Sequence, residues 1–428
     1  MGDDSIGMAL STANRWKLLL PAAAMLVAVA ATGCAMPSAS LPTPPPLTVT
    51  GALPDRSTDD PAAVKPARTA EVKVALLLPL TGAGTTAPIA KGLKQAAEMA
   101  LIEQGGSAIQ LVVKDDAGTP EGARAAAEEA IKDGAELILG PLFAKSVEAV
   151  APLARQAGVP VIAFSNDRRV AGASTYLLSF LAEQEVERIV GHAVAKGKRR
   201  FAALVPDDAY GKVTEAAFRA AVSRQGGTIG AIETYAAGAN SMLEPVRRTA
   251  DAIQDAEAAG QPVDALFIPA SVDALASLGP QLAYAKIDPR KVQLLGTGGW
   301  DTPQLGKDAV FVGGWYPAPD PRGWRDFSER FAKTFGSPAP RIATLAHDAM
   351  GIAVALSTGP AKGRFTSETL TRPGGFGGID GPVRLLPDGT ADRRFAILEV
   401  QKFGASLIEP APAAFATQKV SSTAPRVN

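Results

Sequence analysis

Residues 138–167 read ILGPLFAKSVEAVAPLARQAGVPVIAFSND, and this stretch decides the architecture. A short apolar run reaches Leu139 and is broken by Gly140-Pro141, because proline cannot extend a strand ladder. A helical pattern fills 145–157, and a second apolar run follows at 161–164. Upstream the same unit occurs twice. Residues 72–78, VKVALLL, form a nearly continuous apolar run, as a strand buried on both faces requires. A stripe of Ile89, Leu93, Ala96, Ala97 and Ala100 at helical spacing follows, then a strand at 109–114 and a helix at 119–133.

After 176–180 the alternation restarts. A helix at 183–196 carries Val186, Ile189, Val190, Ala193 and Val194 on one face. Strands are expected at 201–205, 228–233, 265–269 and 292–295, with helices at 211–225, at 241–259 and up to 285. Helical patterns at 323–335 and 342–356 precede GGFGGIDGPVRLLPDGTADRRFAILEV, which reads as a hairpin turned by Asp388-Gly389. Alternating strands and helices imply parallel sheets with right-handed crossovers. At 428 residues two cores are needed, so the expected fold is α/β and two-lobed, each lobe a doubly wound parallel sheet flanked by helices.

Composition excludes several functions. Lys and Arg number 43 against 43 Asp and Glu, so no basic footprint for nucleic acid exists. One Cys and two His, His192 and His347, cannot assemble a usual zinc cluster, and neither His has a G-x-S-x-G nucleophile near it. Both read as structural histidines; no metal, no cofactor and no catalytic residues are expected. Gly82-Ala83-Gly84-Thr85-Thr86-Ala87 matches a dinucleotide pattern with Asp115 ending the next strand. Three residues part the preceding strand from the first glycine, so a cleft loop is the better reading.

Arg15 and Lys17 precede the apolar run 18–31, whose 14 residues are too short for a hydrocarbon core of ~30 Å. The run fits a signal-peptide core, followed by small residues and Cys34, the single cysteine. Asp3 and Asp4 stand ahead of Met8; a start at Met8 leaves an n-region with positive charge only. The segment resembles a bacterial lipobox, which implies a signal peptide over 1–33 and a lipid on Cys34. Residues 34–70 are rich in Pro, Ser, Thr and Ala and read as a disordered tether, while 411–428 reads as a flexible tail.

Four stretches, VALLLPLTG (74–82), residues 138–167, LVPDDAYGKVTEAAF (204–218) and GGIDGPVRLLPDGTADRRFAILEV (377–400), resemble the leucine-binding-protein branch of the type I periplasmic-binding proteins. The resemblance implies a first lobe of 71–178 with 315–372 and a second of 179–314 with 373–410. Hinges are then expected near 176–180, 295–299 and 374–378. It also implies a non-enzymatic periplasmic lipoprotein. Ligands of such sheets bind beyond the carboxyl ends of strands. The candidates are Thr81, Gly82, Leu142, Phe143, Ser146, Ser165, Asn166 and Asp167 in the first lobe. The second lobe offers Asp207, Tyr210, Ser271, Gly299 and Trp300. Tyr210-Gly211 matches a Tyr-Gly that often lines this cleft; Asp207-Asp208 also fits a plain helix cap. Trp300, Trp315, Tyr316 and Trp324 read either as core or as a partner-binding patch.

Two functions stay open. Gly140-Pro141-Leu142, Lys145 and Phe164-Ser165-Asn166 resemble the penicillin-binding protein activators, lipoproteins that stimulate a peptidoglycan synthase by contact. Asp167 is expected to repel a ligand carboxylate, which favours that reading. The activators' extra helical-repeat domain has no counterpart ahead of this fold, where the Pro-rich tether stands. The alternative is the substrate-binding protein of an importer permease, for branched-chain amino acids, amides or related small molecules. Ala35 after the cysteine favours anchoring at the outer membrane. Metabolic labelling with a palmitate analogue is expected to mark the wild type and to spare Cys34→Ala; equal labelling of both would end the lipoprotein reading.

Overall fold

The computed structural model describes residues 71–412 and residue 415. The expected signal peptide, Cys34, the tether and most of the tail lie outside the described residues. The first lobe opens with β1 (Val72–Leu78), α1 (Thr86–Glu103), β2 (Ile109–Asp115), α2 (Pro120–Lys132), β3 (Leu137–Leu139), α3 (Ala144–Ala157), β4 (Val161–Ala163) and β5 (Thr175–Leu177). All pairings are parallel in the order β2-β1-β3-β4-β5. Successive strand residues face opposite sides. Val74, Leu76 and Leu78 therefore join one core with α1, while Ala75 and Leu77 join another with α2 and α3. That double burial is why β1 is apolar almost throughout.

The chain then crosses to the second lobe for α4 (Ala182–Ala195), β6 (Arg200–Pro206), α5 (Ala209–Arg224), β7 (Thr228–Tyr235), α6 (Ala239–Ala258), β8 (Ala265–Phe267), α7 (Val272–Tyr284), β9 (Gln293–Leu295) and β10 (Trp315–Ala318). It returns to the first lobe for α8 (Pro321–Phe335), α9 (Ala343–Ser357), α10 (Ser367–Leu370) and the hairpin β11 (Val383–Leu385) and β12 (Ala391–Arg393). It ends in the second lobe with β13 (Ala396–Val400) and β14 (Ala405–Glu409), completing a sheet ordered β14-β13-β10-β9-β8-β6-β7.

Two expected lobe boundaries are corrected. Trp315–Ala318 belongs to the second lobe, pairing with Leu295 on one side and with β13 on the other. Residues 376–393 belong to the first, because Phe376, Val383, Leu385 and Ala391 bury in its core. The second and third crossings therefore fall at 319–320 and 394–395, not at 295–299 and 374–378. The first falls at 178–181, close to its expected place. The reason is plain: an apolar pattern marks a segment for burial without saying against which sheet.

A knot of buried charge ties the crossings together. Arg393, at the third, donates from Nε to the Ser179 carbonyl at 3.2 Å in the first, and its guanidinium lies 4.9 Å from the Phe180 ring. Asp348 on α9 stands 3.8 Å from Arg393 and accepts the Ile379 N–H at 2.8 Å. Arg341 pairs with buried Asp380 at 2.8 and 3.3 Å and covers Phe180 from 5.3 Å. Burial pushes the Asp348 carboxyl above its ordinary value and the Arg393 guanidinium below its own.

The expected hairpin turn is present. Asp388 accepts from the Thr390 amide at 2.9 Å, and Gly389 has φ 83°, a left-handed conformation. The Gly389 carbonyl accepts from Leu177 at 2.7 Å, docking the turn beside β5. A Cβ there would lie 2.3 Å from the Gly172 nitrogen, whereas at Gly404, also at φ 83°, it would meet open space. Urea denaturation should therefore show Gly404→Ala costing about 1–2 kcal/mol for the φ alone, and Gly389→Ala clearly more. Equal losses would mean the close approach at Gly389 carries no energy.

Candidate functional site

Ligands of such sheets bind beyond the carboxyl ends of strands, and most polar groups of the loops there are committed to their own lobe. Asp115 accepts from the amides of Leu80, Thr81 and Ala117 at 2.9, 3.3 and 2.9 Å and so shapes the Thr81-Gly82 loop. Burial opposes its ionisation, but the Thr81 and backbone hydrogen bonds outweigh that and hold the carboxyl below its ordinary value. Next to it Asp116 is fully buried; Oδ1 accepts Gly118 N–H at 2.8 Å, Oδ2 has no partner, and burial pushes the carboxyl to about 6.

Three of the expected first-lobe contacts are rearranged. Ser146 is buried, with its hydroxyl donating to the Thr119 carbonyl at 3.4 Å, so it does not face a ligand. Ser165 is buried as well and accepts the Asp167 amide at 3.2 Å. Asp167 is gripped by Arg169, receiving its amide at 3.0 Å, Nε at 2.9 Å and Nη2 at 2.6 Å. Those contacts with Arg169 hold the Asp167 carboxyl below its ordinary value. Its charge is thus neutralised within its own turn, and the expected repulsion of a ligand carboxylate loses its basis. Asn166 stays exposed, Leu142 is half-buried and Phe143 is 38% exposed at the start of α3.

In the second lobe Asp207 is exposed, while Asp208 caps α5 by accepting Gly211 N–H at 2.7 Å. Gly211 is required by packing: a Cβ would sit 1.7 Å from the Pro206 carbonyl oxygen. Ser271 caps α7 through Ala274 N–H at 3.4 Å. Tyr210 is half-buried, its hydroxyl 2.8 Å from Thr297, and burial drives its pKa up. Trp300 is not a cleft residue. It is fully buried, donates to the Ile268 carbonyl at 3.0 Å and meets Phe311 edge-on at 5.3 Å, with Gly299 packed on the Ala270 carbonyl. Tyr316 is buried too, and Trp315 and Trp324 are half-buried against His192 and Arg341, so the aromatic group is core.

The sequence reading missed Glu185. It stands in the first turn of α4, just past the first crossing, and is 91% buried. Oε2 accepts the Gly298 amide at 2.9 Å, and a Cβ on Gly298 would lie 2.7 Å from Oε1. Burial, with Asp301 adding like charge, pushes the carboxyl up to about 7. Among the described residues it has no cationic partner. Its place in the first turn after the crossing was the available signal, but a glutamate there ordinarily faces water. His192 is bound to Glu409 at 2.6 Å and His347 to Glu103 at 3.2 Å, both as structural groups. Among the described residues no group of three potential metal ligands comes together.

A profile of the family described as periplasmic binding protein matches residues 71–405. The chain belongs to the periplasmic binding protein family. Membership implies a periplasmic location and accounts for the two lobes and their three crossings. Among solved structures, the chain is similar to a putative branched-chain amino acid ABC transporter protein from Rhodospirillum rubrum. That match has 18% identity and a TM-score of 0.69, over 79% of this chain and 99% of that one. An ABC-type branched-chain amino acid transporter protein from Rhodopseudomonas palustris matches with 21% identity and a TM-score of 0.64, over 79% and 95%. A leucine binding protein from Thermotoga maritima matches with 18% identity and a TM-score of 0.54, over 78% and 97%. At these identities the likeness is one of fold. No curated protein matches the chain.

A raised carboxyl weakens the folded state when it ionises. Folded Glu185 holds its proton up to about 7 against 4.5 ordinarily, so stability falls as pH rises from about 4.5 through about 7. At 1.36 kcal/mol per unit the loss is at most about 3 kcal/mol. Glu185→Gln should therefore be more stable than wild type at pH 8 and near parity at pH 4.5 in urea denaturation. A difference independent of pH would mean that Glu185 does not ionise in this range.

Proposed function

We propose that the protein is a solute receptor of the periplasm, taking a small amino-acid- or amide-like molecule into its cleft for an importer permease. Glu185 carries the reading. A buried carboxylate with one amide donor and no cation is costly, and a ligand ammonium or amide N–H would complete it. In the first lobe, α3 begins at Ala144 with no side chain capping it, so its first amides stay open to a ligand oxygen. The caps of α2, α5 and α7 are filled by Thr119, Asp208 and Ser271. The neutralised Asp167 removes the objection to a ligand carboxylate. Leu142 and Phe143 supply apolar surface for its body. We also propose lipid anchoring through Cys34, with the outer membrane favoured by Ala35.

A second reading is activation of a penicillin-binding protein in peptidoglycan synthesis. It is supported by the withdrawal of Ser146 and by Leu142 and Phe143 standing where a ligand-binding loop would carry hydroxyls. Titration calorimetry against leucine, isoleucine, valine and their amides is expected to show saturable heat. Loss of one charge-assisted contact is worth about 1.5–3 kcal/mol, so Glu185→Gln should weaken that binding about 10- to 100-fold. No heat from any of them, together with co-purification of a peptidoglycan synthase, would replace the receptor with the activator.

A further inference from the structure

Phe415 lies six residues beyond Glu409, the last residue of the second lobe's edge strand β14, yet its ring rests on the first lobe. The Arg384 guanidinium of β11 is 4.8 Å from the ring centre, and that of Arg394, at the third crossing, is 5.0 Å. Asp392 accepts from both arginines, at 2.9 Å from Arg384 and 3.3 Å from Arg394. With one edge of each guanidinium held by the same carboxylate, their faces are left to the aromatic ring. The Nε atoms of both are buried without hydrogen-bond partners. Gly375 completes the socket: a Cβ there would lie 2.7 Å from the Phe415 ring. The other end is held equally firmly. Glu409 is paired with Arg188 at 2.7 Å and with His192 at 2.6 Å on α4.

We propose a strap across the third crossing: Glu409 pins the chain to the second lobe, and Phe415, six residues on, pins it to the first in a two-arginine socket. Six residues span at most about 20 Å, so the strap sets an upper limit on how far β14 and the β11–β12 hairpin can part. Lobe rotation about the crossings must keep within that limit or pull Phe415 from its socket. The strap is therefore a restraint on domain motion built into the chain, separate from the knot of charge beneath it.

The test is pulsed electron spin resonance on the full chain carrying Cys34→Ser, with spin labels at E121C on α2 and S223C on α5, both exposed. Phe415→Ala, and separately the Arg384→Gln/Arg394→Gln pair, should broaden the interlobe distance distribution. Phe415→Trp should restore it, with thermal midpoints of the Phe415 variants unchanged. A Phe415→Ala distribution that overlays the wild type would overturn the strap, whatever the arginine pair does. Broadening by Phe415→Ala that Phe415→Trp fails to reverse would overturn the aromatic socket.

Discussion

Opposite charges buried at the lobe crossings are the constraint on which the rest of the structure depends. Arg393 and Asp348 are both almost wholly removed from water and stand 3.8 Å apart, with Nη1, Nη2 and Oδ2 lacking hydrogen bonds. Desolvating two charges costs several kcal/mol each, and removing either partner would strand the other. The arrangement is tolerable only where neighbours share the load: the Ser179 carbonyl, the Phe180 ring and the Ile379 amide each take part. Those groups come from the first crossing and from the segment before the hairpin. The position of one guanidinium thus fixes how two distant parts of the chain meet.

Around that knot the two sheets follow simple rules. Central strands buried on both faces are apolar almost throughout, as β1, β3 and β8 are. Most polar side chains at the strand ends are spent on order within one lobe. Asp115 shapes a loop, Asp167 binds its own arginine, and Asp208 and Ser271 cap helices. A residue type that suits a ligand also suits an open helix end, and the helix end is always nearby. What is left unspent carries the functional argument. Glu185 is buried beside an amide and another carboxylate, and α3 starts without a side-chain cap.

The residues themselves determined the βα alternation, the two cores and the hairpin turned by Asp388-Gly389, because these rest on periodicity and on short-range chemistry. The order of βα units in 138–167 already implied a parallel sheet. Tertiary structure alone decided which lobe owns Trp315–Ala318 and which owns the β11–β12 hairpin, since burial patterns do not say which sheet a segment joins. It also decided the site. Ser146 and Trp300 turned inward, while Glu185 lost its access to water. The physical reason is the same in each case. Whether a polar group is spent or free depends on partners brought from elsewhere, such as Gly298, 113 residues from Glu185, and on the dielectric they create together.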